Sequence, residues 1–279
     1  MRPLRSRALA LALVLASGVA PRAVAQADSG SARPLFTAGD ALLAGGVVIA
    51  ARLIHPLDEH YRRRLQDSST QANRKLQTLA TIVRTTAAPG AYVIGASLYT
   101  AGRLSDNRKM AELGLYGTEA LLVGELSATA LKWTIGRARP FTGEGPNSYG
   151  FGRGFGSNSY KSFPSGHSVS AFAAAAAVTS ETSRWAPNTR WIVGPVLYGG
   201  AALVGASRMY NNQHWASDVI IGAGIGTFAG LKVVRFNHSH TGNHVDRWLL
   251  SGSLVPTGDG GHALRWSVLP GSLDPRRAR

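Results

Sequence analysis

Long runs of small and aliphatic residues, repeated from about residue 38 to residue 234, constrain this chain more than any other feature of it. They read "ALLAGGVVIAARLI" (41–54), "LQTLATIVRTTAAPGAYVIGASLYTAG" (76–102, divided by Pro89) and "ELGLYGTEALLVGELSATALKW" (112–133). After them come "HSVSAFAAAAAVTS" (167–180), "WIVGPVLYGGAALVGAS" (191–207) and "ASDVIIGAGIGTFAGLKVV" (216–234). Runs of this length exceed an ordinary strand, and none alternates with period two, so they read as helices. The expected fold is all-α: a bundle of six or seven helices over residues 26–245. The end of the chain differs. "WLLSGSLVPTGDGGHALRWSV" (248–268) has two short apolar stretches around a glycine turn, which predicts a small C-terminal β-hairpin followed by a basic tail, together covering 246–279.

A membrane span needs about 20 mostly apolar residues. The uncharged runs here mostly stop at 13–17, and Arg84, Glu119 and Glu125 interrupt the longer segments. Mean hydropathy is −0.02. That balance favours a soluble bundle or one attached at a membrane surface, with insertion kept open. The first 25 residues have the three parts of an export signal: a basic "MRPLRSR", an apolar "ALALALVLASGVA" and a small-residue "AVA" at 23–25. Export to the periplasm is the resulting expectation.

Thirty Lys and Arg against 15 Asp and Glu favour anionic partners. The basic groups are scattered apart from "YRRRL" (61–65) and the terminal "DPRRAR", so nucleic acid is not expected as a partner. With no cysteine, disulfides, thiolate nucleophiles and thiolate metal sites are excluded. "HSHTGNH" (238–244) reads as a helix-end loop with scattered histidines rather than a metal site, and no cofactor is expected.

Short connections make successive helices antiparallel neighbours. Helix 112–133 then ends near Lys132 with Arg139 just beyond, and the Gly/Ser/Asn-rich loop 142–162 crosses the same end. "PSGH" (164–167) starts the next helix there. "ETSRWAPNTR" turns at the far end with Pro187 as breaker. Helix 191–208 returns with Arg208, and His214 opens the last helix. Lys132, Arg139, Ser165, His167, Arg208 and His214 are therefore predicted at one end of one bundle, with Asp218 four residues after His214. Three fixed cations, a hydroxyl and a helix N-terminus describe a phosphate cradle. Two histidines facing one phosphate divide the chemistry. His214 is the better nucleophile, because Asp218 could accept from its Nδ1–H and leave Nε2 for phosphorus; His167 would be the acid. Arginine and lysine charge would serve where other phosphatases use metal ions, so no metal is expected. Trp215 reads as core, Pro140 as a helix stop, and Arg153 and Lys161 as solvated charges within reach of a substrate head group.

"KWTIGRARP" (132–140) fits K-x6-R-P, "PSGH" (164–167) follows it, and "SRMYNNQHWASD" (207–218) fits S-R-x5-H-x3-D. Together they resemble the signature of the type 2 phosphatidic acid phosphatase superfamily, with no departure at a motif position. That group includes lipid phosphate phosphatases, periplasmic non-specific acid phosphatases, glucose-6-phosphatase and vanadium haloperoxidases. The resemblance implies phosphate binding by Lys132, Arg139, Ser165, Gly166 and Arg208, with His214 as nucleophile, His167 as general acid and Asp218 as orienting partner. It implies a metal-independent phosphatase acting on a phosphorylated lipid or a small phosphate ester through a phosphohistidine. The alternatives are a vanadium-dependent haloperoxidase, disfavoured by the short chain, and a non-catalytic protein that binds phosphate or a lipid head group.

Overall fold

A computed structural model describes residues 34–240, 249–250, 252–256 and 262–266. The expected export signal (1–25), residues 241–244 of the histidine-rich segment and the basic tail lie outside the described residues. Eight helices of eight residues or more form among them. These are α1 (Ala38–Ile54), α2 (Asp58–Leu65), α3 (Arg74–Thr85), α4 (Ala91–Leu104), α5 (Arg108–Ile135), α6 (Gly166–Trp185), α7 (Arg190–Tyr210) and α8 (Ala216–Ser239).

The all-α expectation holds, with one helix beyond the six or seven expected. "DEHYRRRL" is a helix in its own right, held by Glu59 pairing with Arg62 at 2.7 Å and Arg63 at 2.9 Å. Pro89 divides 76–102 as expected, through a π-helical turn (Thr86–Gly90). Caps set several starts. Asp40 accepts from the Thr37 backbone N–H and hydroxyl ahead of α1, Asn73 accepts from Lys75 and Leu76 N–H, and Asn107 from Met110 N–H.

Helix α6 is the centre of the bundle and packs against α5, α7 and α8, while α1 lies on α8, α4 on α5 and α3 on α7. Its buried face is Val169, Phe172, Ala173, Ala176 and Ala177, almost all small, so its neighbours come close. A Cβ on Gly226 of α8 would stand 2.2 Å from the Val169 carbonyl oxygen. Only glycine allows that crossing. The antiparallel order inferred for α5 to α8 is the observed one, with Pro187 in the single 3₁₀ turn between α6 and α7.

Beside the bundle, strands Gly252–Pro256 and His262–Trp266 pair antiparallel, from Gly252 opposite Trp266 to Pro256 opposite His262. The turn between them lies outside the described residues, and the fold class rests on the helices alone.

The outer surface departs from the preference for a soluble bundle. Segments Ala38–Leu65, Pro187–Tyr210 and Ala216–Ser239 are long and apolar enough to cross a membrane. Leu42, Val48, Ile49 and Leu53 of α1, Leu122 and Leu126 of α5, and Trp191, Ile192 and Val196 of α7 are exposed, far more apolar surface than scattered single residues give. Such a surface associates the bundle with a membrane.

Candidate active site

The C-terminal end of α5, the N-terminus of α6, the end of α7 and the turn before α8 meet around one cavity of about 340 Å³. Lys132, Arg139, Gly166, His167, Arg208 and His214 line it, together with Tyr92 and Glu125. Six of the eight residues expected at the site therefore come together. Ser165 and Asp218 do not line the cavity. Ser165 precedes α6 at its N-cap position, where its hydroxyl accepts from Ser168 Oγ at 2.9 Å, and Asp218 is fully buried.

Each cation is placed by backbone geometry. Helix α5 stops at Gly136, which takes a left-handed φ of 59° where no side chain fits, since a Cβ would meet the Gly150 carbonyl oxygen at 1.9 Å. That turn carries the chain back across the bundle end. Lys132 donates from Nζ to the Pro164 carbonyl. Arg139 is clamped by the Asn158 carbonyl at 2.9 Å and by Gln213, whose backbone and side-chain oxygens are 3.1 and 3.0 Å from Nη1. Arg208 differs: its Nε and Nη1 are buried with no hydrogen-bond partner. Donors of a buried guanidinium are rarely left so, and an anion in the cavity would satisfy them. Gly166 and His167, the first residues of α6, line the same space, and helix geometry leaves their N–H groups without intrahelical partners.

His214 is 4% exposed. Its Nδ1 lies 2.6 Å from the Ser162 carbonyl oxygen, which can only accept, so Nδ1 carries the proton and Nε2 the lone pair. Nε2 is 3.4 Å from Arg139 Nη1 at the cavity wall. Burial, with Arg139, Lys132 and Arg208 close by, holds the ring well below the usual imidazole range and therefore neutral. His167, at the start of α6, is pushed down to about 4 by burial and by Arg208, Arg84, Lys132 and Arg139.

Asp218 departs from its expected contact. Its nearer oxygen is 4.0 Å from His214 Nδ1, and Ser162 takes that proton instead. Asp218 Oδ2 accepts from Ser162 Oγ at 2.6 Å and from Trp215 N–H at 2.9 Å, while Oδ1 pairs with Arg137. The carboxylate thus reaches the histidine through one residue, whose hydroxyl it holds and whose carbonyl holds the ring.

Behind this lies a polar network that the sequence reading missed. Arg137 is 1% exposed and donates to Asp58 at 2.8 Å, to Ser217 Oγ at 2.8 Å, to Asp218 and to the Pro146 carbonyl. Asp58 also accepts from Ser217 N–H and Oγ. Arg137 stands two residues before Arg139 in "GRARP", a signal that could have been read; Asp58 gives none. Tyr92 and Glu125 were missed as site residues because they sit inside apolar helices. Trp215 is core, as expected, with Nε1 bonded to the Ala138 carbonyl at 2.9 Å. Arg153 and Lys161 do not line the cavity; Arg153 stacks over Tyr160 at 3.7 Å. His238 bonds Glu181 at 2.6 Å and His240 lies against Phe236.

The comparisons bear on residues already placed. Residues 114–241 match the PAP2 superfamily. A stretch of 113 residues is 42% identical to a lipid A 1-phosphatase of Porphyromonas gingivalis, covering 40% of this chain and 20% of that protein, so the chain spans about a fifth of that relative's length. Among solved structures, the transmembrane PAP2 type phosphatidylglycerolphosphate phosphatase from Bacillus subtilis aligns over 84% of this chain and 95% of its own, with 20% identity and a TM-score of 0.44. The three motifs and every cation that lines the cavity fall within the stretch 114–241 that matches the PAP2 superfamily.

Proposed function

We propose that this protein is a metal-independent phosphatase that hydrolyses phosphate monoesters or diphosphates carried on a lipid. The observation that carries this reading is the pairing of two unpartnered Arg208 N–H groups with an unprotonated His214 Nε2 at one cavity. The cations and the α6 N-terminus bind phosphate and stabilise the charge that builds up in the transition state. Nε2 attacks phosphorus, the bond from phosphorus to the leaving oxygen breaks, and His167 gives that oxygen its proton. His167 then takes a proton from water, which attacks the phosphohistidine. The P–N bond breaks, its electrons return to Nε2, and phosphate leaves. Asp218 positions His214 through Ser162.

The lipid assignment draws on the exposed apolar helices and on a relative that acts on lipid A. The basic, apolar and small-residue pattern of the first 25 residues supports export, which would set the cavity on the periplasmic side. Purified protein given a panel of phospholipid, isoprenoid diphosphate, lipid A and soluble monoester substrates should release phosphate at the same rate with and without EDTA, and vanadate should inhibit. Activity that disappears with the chelator would overturn the metal-free mechanism.

The two histidines also set a pH dependence. Burial and the nearby cations hold His214 below the usual imidazole range, whereas His167, with its value near 4, is mostly unprotonated at pH 7. Acidification from pH 7 to 5 therefore supplies the acid without removing the nucleophile. After correction for the substrate's own second ionisation near pH ~6, kcat/KM should rise over that range. A decline below pH 6.5 would place the nucleophile's titration there and contradict the assignment.

A further inference from the structure

Six of the eight cavity residues hold or process the phosphate in the reading above, on which this inference rests. The other two are Glu125 of α5 and Tyr92 of α4. A carboxylate beside a phosphate cradle opposes the substrate's charge, so its presence needs a reason. Glu125 is fixed in place: Oε1 accepts from the Ser170 hydroxyl of α6. Its Oε2 lies 3.1 Å from where a Cβ on Gly166 would stand, and Lys132 Nζ lies 3.2 Å from the same point. Glycine at 166 makes room for both groups. The hydrogen bonds among the described residues give Oε2 no donor, while Lys132 donates to the Pro164 carbonyl.

We propose that Glu125 recognises the leaving group, its Oε2 accepting a hydrogen bond from a hydroxyl carried next to the phosphate ester, with Tyr92 completing the same wall. Phosphate occupies the part of the cavity walled by Lys132, Arg139, Arg208 and the α6 N-terminus. The leaving group takes what remains, which these two residues wall. A hydroxyl suits the site better than an ammonium group, because Lys132, Arg139 and Arg208 already make the cavity cationic. A fixed acceptor that is otherwise unpaired discriminates strongly against a ligand lacking the donor. The enzyme is then selective for phosphates of polyols or sugars over phosphates of plain alkyl chains.

The test compares phosphate release from a sugar or glycerol phosphate lipid with release from its analogue lacking the neighbouring hydroxyl, in detergent micelles. Wild-type kcat/KM should favour the hydroxylated substrate by about tenfold or more, and Glu125→Gln, which keeps the shape and the Ser170 contact, should bring that ratio toward one. Tyr92→Phe, on the same wall, should reduce the ratio less. A wild-type enzyme that treats both substrates alike overturns the proposal, whatever the variants do. So does a Glu125→Gln enzyme equally impaired on both, since the carboxylate would then act on Lys132. No release from any phosphate by wild-type protein would instead overturn the phosphatase reading.

Discussion

Replacing His214 with alanine should abolish turnover, with phosphate release falling by on the order of 10⁴-fold or more, as when a catalytic nucleophile is removed. It should also abolish any acid-labile phosphoenzyme. The cations that bind phosphate remain, so substrate should still occupy the cavity and competitive binding should persist. The Ser162 carbonyl loses its partner, which lowers stability by about 1–3 kcal/mol, so folding is checked by thermal unfolding. His167→Ala makes the contrast. With an activated leaving group that needs no protonation, the first step proceeds, while the second lacks the base that deprotonates water. Phosphoenzyme should therefore accumulate in His167→Ala and be absent in His214→Ala. Acid-labile phosphate in the His214 variant would assign the nucleophile elsewhere.

How much of this was legible in the sequence follows physical lines. Lys132, Arg139, Arg208, His167 and His214 were readable because each stands beside a helix end, and alternating helix directions bring those ends together. Asp218 shows where spacing misleads. Residues four apart are neighbours only when both are helical. His214 precedes α8, and Trp215 between them is extended (φ −76°, ψ 158°), so the i,i+4 rule does not apply. Asp218 is the third residue of the helix, and its carboxylate caps the Trp215 N–H as helix starts commonly require. The membrane-length helices were underread for a related reason. Counting uncharged runs stops at every Lys or Arg, yet Lys232 within α8 is turned inward to the Leu35 carbonyl at 2.8 Å and to Asp40. A charge so paired does not end an apolar helix.

The second large effect is expected at Arg137, which touches no substrate. Its guanidinium lies over the Tyr149 and Trp215 rings at 5.4 and 5.6 Å, and its N–H groups are shared between Asp58, Asp218, Ser217 and Pro146. Arg137→Ala leaves two fully buried carboxylates without their counter-charge, a change that costs about 3–5 kcal/mol when a buried pair is broken. Arg63, 74% exposed and 2.9 Å from Glu59, is the internal control, and Arg63→Ala should cost no more than about 1 kcal/mol. Arg137→Lys restores charge but not the forked geometry, so it should recover only part of the loss. The network also fixes Asp218, hence Ser162, hence the Nδ1 side of His214. Positioning therefore predicts a kinetic signature beyond stability: in Arg137→Lys, kcat should fall more than KM rises, because phosphate still meets Lys132, Arg139 and Arg208. Adding Asp58→Asn to Arg137→Ala removes one of the stranded charges and should return part of the lost stability, a coupling of about 1–3 kcal/mol in a double-mutant cycle. Additive losses in that cycle would mean the two residues do not share a network, and an unaltered kcat in Arg137→Lys would remove Arg137 from the positioning of His214.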